Sequence, residues 1–382
     1  MDTVARNSLL EREFQLADDL IYLNHAALGP WPQRTVETVQ RFAAQNGVDG
    51  PRHWSTWYQG EQRLRDRIAR LIDAPDAAQV TLMGNTSQGL SLLARGLSWR
   101  PGDQVLTLAE EFSSNRWPWE QLTPQDVALQ QIKRPPGQPV HEALIAALGP
   151  KTRLVAVSSV QYVTGELADL EALVDACRRR GVLLVVDAIQ SAGAIHLPLA
   201  SLGVDAVATG SHKWLLAPEG VGFLWLGPAL ADQLTGSQAG WRMAPEPFRF
   251  AKEIDQPAAG GRRFEPGTLN TLGLLALDAS LSLYEELGPG WVTARVQELT
   301  AQLIEGARRL GIGVATPADA AQRGGIVALD DGDPDVNRQL FKALSEHGVM
   351  AANRGGLLRV SPHYHTRAAQ IDQFLEALAE CR

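Results

Sequence analysis

Residues 182–190, Val-Leu-Leu-Val-Val-Asp-Ala-Ile-Gln, restrict the possible folds more than any other stretch of the chain. The unbroken aliphatic run leaves no polar face, so the strand it forms must be covered on both sides. Such a strand belongs in the middle of a parallel sheet with helices on each face. Neighbouring segments fit that frame. Residues 79–83, 104–108, 127–132, 153–159 and 204–209 read as further strands. Residues 220–226 read as a strand returning antiparallel beside 204–209. Helices alternate with them. Residues 60–74 place Leu64, Ile68, Leu71 and Ile72 on one face, and Leu90, Leu93 and Leu97 mark a second helix. Residues 170–180 form a third, closed by Gly181. The expected fold is therefore α/β, with a large, doubly wound, mostly parallel sheet over residues 21–265. Long helices at 273–287 and 292–310, then strands at 325–329 and 356–361 with helices at 335–347 and 366–380, give a smaller C-terminal α+β domain over 266–382. Residues 1–20 are expected to pack on that smaller domain.

Composition narrows the class. A chain of 382 residues suits two domains, and 45% hydrophobic with 20% charged residues is ordinary for a soluble globular protein. The net charge of −8, with both signs mixed along the chain, argues against a nucleic-acid partner. The first nineteen residues lack the apolar core of a signal peptide, and no apolar run approaches membrane-spanning length. The two cysteines, Cys177 and Cys381, have no CxxC neighbour, so neither a disulfide framework nor a metal site is indicated. The expected compartment is a reducing cytoplasm.

The chemistry concentrates at residues 206–214, Ala-Val-Ala-Thr-Gly-Ser-His-Lys-Trp. A lysine at a strand end, partly desolvated, has a lowered pKa and becomes a nucleophile toward a carbonyl. Lys213 is thus a candidate for a Schiff base with an aldehyde cofactor. Residues 84–89, Gly-Asn-Thr-Ser-Gln-Gly, join a strand to a helix, the geometry that binds a phosphate; a plain helix cap at Thr86 or Ser87 is the other reading. Phe112, just past a strand end, can stack on a flat ring or fill the core. Asp187 ends the central strand, where open α/β sheets bind ligands. It needs a cationic partner to stay charged there, unless it simply caps or pairs. Residues 24–30, Asn-His-Ala-Ala-Leu-Gly-Pro, could approach a ligand closely or be an ordinary loop. Trp54, Trp57 and Tyr58 read as packing or interface. A long Pro- and Gly-bearing loop at 236–261 carries Arg242, a candidate to reach a substrate.

In order and spacing, these segments resemble the fold-type I enzymes that use pyridoxal 5′-phosphate (PLP). They resemble in particular the class V aminotransferase family, which includes cysteine desulfurases, kynureninases and isopenicillin N epimerase-like proteins. The resemblance runs from Tyr22 to about Ala379. It implies that Lys213 is the cofactor lysine and proton carrier, Asp187 the pyridinium partner and Phe112 the ring-stacking residue. It implies that Gln190 bonds the phenolic oxygen, and that Thr86, Ser87, Ser211 and His212 form the phosphate cup. Gly267 and Thr268 match a segment donated to the phosphate of a neighbouring subunit, which implies a homodimer. Arg359 matches the arginine that grips the substrate carboxylate, with Tyr162, His25 and Asn24 also on the substrate side.

The departures are informative. Phe112 stands where desulfurases carry a histidine. Residues 350–356, Met-Ala-Ala-Asn-Arg-Gly-Gly, hold no cysteine where desulfurases have a catalytic one. Tyr162 replaces an asparagine of many relatives. The resemblance then implies an α-amino acid substrate that forms an external aldimine and loses its Cα proton. Aminotransferase chemistry comes first, with C–S lyase (β-elimination) and isopenicillin N epimerase-like racemase as alternatives. Racemisation needs a second acid/base, for which His25, His53 and Tyr58 are candidates. A non-enzymatic PLP-binding regulator is disfavoured, because Lys213, Asp187 and Arg359 are all present.

Overall fold

A computed structural model describes residues 1–135, 137–236, 238–250 and 256–382. A two-residue strand, β1 (Ile21–Tyr22), precedes the main sheet. That sheet is built from β2 (Val80–Met83), β3 (Gln104–Leu108), β4 (Ala128–Ile132), β5 (Thr152–Ser158), β6 (Leu183–Asp187), β7 (Ala206–Gly210) and β8 (Gly222–Leu226). The strands lie in the order β2-β8-β7-β6-β5-β3-β4. All pairings are parallel except those of β8, which runs antiparallel to both β7 and β2. The antiparallel return expected for 220–226 is present. Because β8 reverses once on each side, β2 points the same way as β7, and their carboxyl ends share one edge of the sheet.

Alternating side chains feed two cores. Val155, Val157, Leu184 and Val186 face Leu64 and Ile68 of the helix Trp54–Leu71 and Leu277 and Leu281 of the helix Thr271–Leu287. Leu154, Ala156, Leu183 and Val185 face Leu90 and Leu93 of the helix Thr86–Gly96. Coverage on both faces is what the aliphatic run at 182–186 requires.

Most element ends lie within about three residues of the sequence expectation, and two shifts have a visible cause. The central strand stops at Asp187 rather than 190, because the Asp187 Oδ1 accepts the Ile189 N–H at 2.9 Å and turns the chain. The helix expected from residue 60 begins at Trp54, after the short 3-10 turn Gly50–His53. Trp57 extends its buried stripe one turn earlier, so the aromatic cluster is helical. The loop at 236–261 contains the short turns Trp241–Met243 and Pro247–Arg249; its residues 237 and 251–255 lie outside the described residues.

The smaller C-terminal domain is built on β9 (Gly313–Val314), β10 (Val327–Asp330), β12 (Ala352–Arg354) and β13 (Leu357–Val360), in the antiparallel order β12-β13-β10-β9. Leu299, Leu303 and Phe374 from the helices Pro289–Arg309 and Ala368–Glu380 back it. A further short strand, β11 (Val349–Met350), pairs in parallel with β1. The N-terminal helix Thr3–Glu13 buries Leu9 in the core of the main sheet, and Phe14 stacks on the His365 ring at 3.9 Å. No described helix is long and apolar enough to cross a membrane.

Candidate active site

The carboxyl ends of β2, β3, β6 and β7 open into a cavity of about 300 Å³. Its wall includes Thr86, Ser87, Phe112, Tyr162, Asp187, Gln190, His212, Lys213 and Arg359, brought together from most of the chain's length. Ala26, Ala27, Asn85, Ser114, Ile189 and Arg354 complete it.

Lys213 follows the end of β7 on a loop pinned at several points. The Ser211 hydroxyl donates to the carbonyls of Pro218 and Val221, and the Gly29 N–H donates to the His212 carbonyl at 2.7 Å. A Cβ on Gly29 would lie 2.3 Å from the Lys213 carbonyl oxygen, so glycine permits that approach. Trp214 anchors the far side, with its Nε1–H donating to the Gln190 Oε1 at 2.8 Å. The amine lies 5.8 Å from the Phe112 ring centroid. Burial pushes the Lys213 pKa down to about 8; Asp187 opposes this, while Arg359 and Arg354 add to it. About a tenth of such an amine is neutral at pH 7, against roughly one in three thousand for an ordinary lysine.

Asp187 is buried at the end of β6, and burial raises its pKa to about 6 against the Ile189 N–H bond and the Lys213 charge. A second buried carboxyl lies behind it. Glu111 accepts the Ser158 N–H and hydroxyl, both at 2.6 Å, and burial raises its pKa to about 7, the Asp187 charge adding to the rise.

Two atoms in the wall lack partners. The Thr86 hydroxyl and the Arg359 Nε are buried without a hydrogen bond. Thr86 is the first residue of its helix, capped by Asn85, whose Oδ1 accepts the Gln88 N–H. The N–H groups of Thr86 and Ser87, in the first turn of that helix, have no intrahelical acceptor. Arg359 donates through Nη1 to the Tyr162 carbonyl, and burial lowers its pKa to about 10. A buried guanidinium with no acid partner among the described residues is costly unless an anion arrives. The Gln190 Nε2 donates one hydrogen to the Ala26 carbonyl, leaving its second free. A helix N-terminus, an unpaired cation, a buried carboxyl and a desolvated amine make a set that fits PLP and an amino-acid carboxylate.

Several residues named from sequence are not in this wall. Ser211 turns inward to the two carbonyls above, because the side chain two positions before Lys213 points into the loop. His25 is fully buried outside the cavity, donating from Nδ1 to the Ser361 carbonyl, with Nε2 2.8 Å from the His365 Nε2. Burial holds its pKa down to about 4. Asn24 bridges to Ser361 beside it; the alanines that follow form the wall instead. Gly267 and Thr268 line a separate surface depression with Gly84, Gln88 and Asn270. His53 pairs with Asp49, and Tyr58 packs on Trp54 and Phe248. Arg242 is buried against Glu61 and Glu265 and does not reach the cavity. Sequence reasoning gave no role to Ser114, which bonds Ser87 at 2.8 Å, to Glu111 or to Arg354.

The Aminotransferase class-V family model matches residues 21–374. Isopenicillin N epimerase of Streptomyces clavuligerus is 31% identical over 94% of both chains. A probable cysteine desulfurase of Methanothermobacter thermautotrophicus is 26% identical over 98% of both. Among solved structures, C-DES, described as a cystine C–S lyase in complex with cysteine persulfide, superposes with TM-score 0.88 at 25% identity, over 95% of this chain and 98% of its own. A variant of C-DES carrying glycine covalently linked to its PLP cofactor gives 0.90 at 24% identity, over 97% and 99%. These matches agree with the fold-type I architecture and with PLP as the family cofactor. The chain belongs to the class V aminotransferase family of PLP-dependent enzymes.

Proposed function

We propose that this protein binds PLP at Lys213 and removes the Cα proton of an α-amino acid held by Arg359, with transamination as the first reading of the outcome. The carrying observation is that a desolvated amine, a buried carboxyl, an orphaned helix-terminal hydroxyl and an orphaned guanidinium wall one cavity. Bound there, PLP supplies an electrophilic aldehyde and a sink for electrons. The chain's own groups do the rest. The Thr86 hydroxyl and the N–H groups of Thr86 and Ser87 hold the phosphate, with His212 beside it. Asp187 pairs with the pyridinium, whose charge offsets the burial that otherwise favours its protonated form. Phe112 stacks on the ring, and the free Gln190 N–H meets the phenolic oxygen. Arg359 holds the substrate carboxylate by its fork. The Lys213 Nζ takes and returns the proton.

One proton carrier is what transamination and β-elimination need. Epimerisation needs another on the opposite side, and His25, His53 and Tyr58 all lie elsewhere. Tyr162, edge-on to Phe112 at 5.3 Å between ring centroids, is the phenol available for that role. Its presence, with the 31% identity to an epimerase, keeps epimerisation as the second reading. We further propose a homodimer in which Gly267 and Thr268 reach the partner's phosphate region, a division into domains near residue 265, and a cytoplasmic location consistent with two free cysteines.

Purified protein should be yellow, and borohydride should fix the cofactor to the Lys213 peptide. Lys213→Ala should take up PLP without that linkage and lose turnover. With an amino-acid panel, a keto acid identifies transamination. Pyruvate, ammonia and a released thiol identify elimination; solvent deuterium at Cα without net change identifies epimerisation. A colourless protein that takes up no PLP would refute the assignment.

A further inference from the structure

The cavity holds one cation more than an ordinary amino acid uses. Two anion stations are assigned above, the helix N-terminus at Thr86 and the guanidinium of Arg359. Arg354 also lines the cavity, is exposed, and forms no ion pair among the described residues. Its hydrogen bond runs from Nη1 to the carbonyl of its own neighbour, Asn353.

The register explains how the two arginines converge. In the β12–β13 hairpin, Ala352 pairs with Arg359 and Arg354 with Leu357. Cross-strand partners share a face, and so do residues two apart on one strand. Arg354 and Arg359 therefore project from the same face as diagonal neighbours, with the small Ala352 opposite Arg359 leaving room. The turn between the strands is Gly355-Gly356, with φ of 59° and 81°. Two consecutive left-handed residues make the tight hairpin turn that glycine favours. Its tip is packed: a Cβ on Gly355 would lie 3.1 Å from the Val163 Cγ1, next to Tyr162. Arg354 is thus carried by a fixed hairpin at the cavity mouth. Two like charges on one face repel, and each also disfavours the charged form of Lys213. An arrangement with that electrostatic cost fits a ligand that brings a second negative charge.

We propose that Arg354 is a second anion-binding residue of this cavity, and that the substrate class is α-amino acids with a further carboxylate on the side chain. Arg359 takes the α-carboxylate and Arg354 the distal one. The inference rests on the PLP reading above, because the α-amino group must meet the Lys213-bound cofactor for the two carboxylates to be distinguished.

The test is equilibrium titration of the PLP-loaded protein, following its visible absorbance band. The probes are L-aspartate, L-glutamate and L-2-aminoadipate, set against the amides L-asparagine and L-glutamine. At least one acid should bind about fivefold more tightly than its amide, the upper range for a solvent-accessible ion pair. That ratio should fall toward one in Arg354→Ala, recover in part in Arg354→Lys, and shrink with added salt in the wild type. A merely structural Arg354 would move both ligands of a pair together and leave the ratio intact. A wild-type ratio near one, or a ratio unchanged in Arg354→Ala, overturns the proposal while leaving the PLP assignment standing. If the protein takes up no PLP, or no amino acid alters the band, both fall together.

Discussion

Thr86 shows how much one atom can say. Its hydroxyl is buried, bonded to nothing, and set at the first turn of a helix. A buried unsatisfied hydroxyl costs about 1–3 kcal/mol, which a bound phosphate would offset. Thr86→Val keeps the shape and removes the polar atom. The cofactor-free variant should be more stable by about 1 kcal/mol in urea titration, while its affinity for PLP falls about tenfold. Opposite signs for the two measurements distinguish a phosphate ligand from a packing residue; stability and affinity both unchanged would refute the role. At this scale the sequence was readable where a strand end fixes a side chain. Lys213 and Asp187 stand at the carboxyl ends of β7 and β6, and that placement follows from the apolar pattern. Ser211 stays out of the wall because a tight loop turns adjacent side chains in different directions, which pattern does not encode. Arg354 was given no role because its position depends on a hairpin register formed with residues 357–359.

Among the elements, the segment after β13 behaves as a unit. His25, His363 and His365 cluster behind Trp214, with His25 and His363 at 5.2 Å between ring centroids. The His25 Nδ1 donates to the Ser361 carbonyl, so the His25 Nε2 accepts from the His365 Nε2–H. The His363 Nε2 donates to the Trp214 carbonyl and its Nδ1 accepts the Tyr364 N–H. These tautomers require neutral His25 and His363 rings, and burial lowers all three pKa values, His25 to about 4 and the others well below the usual range. For bases held neutral, the unfolded chain binds more protons as pH falls below about 6.5, so stability declines toward acid. Each ring contributes a slope of up to about 1.4 kcal/mol per pH unit in that window. His365→Asn should therefore lose stability less steeply than wild type between pH 6.5 and 5, measured by urea unfolding at each pH. Equal slopes would show that the cluster does not titrate on unfolding. The sequence displayed His363 and His365 plainly, but nothing local joined them to His25, which arrives from the other end of the chain.

Over the whole molecule, a buried ionic network ties distant segments together. Glu265 accepts from Arg65 at 2.6 Å, from the Leu82 N–H at 2.8 Å and from Arg242 at 3.3 Å, and Arg242 also pairs with Glu61 at 2.7 Å. It fixes the approach to Gly267 and Thr268, the segment proposed to serve the partner subunit. Removing one member leaves a buried charge uncompensated. Glu265→Gln should cost about 3 kcal/mol of stability and lower the urea midpoint, whereas a cost below about 1 kcal/mol would mean that the network relaxes without consequence. Fold class was legible because alternation and aliphatic runs are properties of long stretches. Arg242 was misplaced because its loop has no periodicity, and only the folded chain shows the two acids it meets.

The strand order has a further consequence for how the protein is made. In the sheet β2 pairs with β8 alone, and its other edge is covered by residues 260–264, where the Thr81 hydroxyl donates to the Gly261 carbonyl at 2.9 Å. During synthesis the ribosome releases β2 early, yet both of its neighbours emerge only after every other strand of that sheet. The hydrogen-bonded link from β2, which leads into Thr86, to β7, which leads into Lys213, therefore waits for β8, although the helix Thr86–Gly96 also packs on β7 directly. Both edges of β2 are thus closed only once synthesis has passed residue 264 of 382.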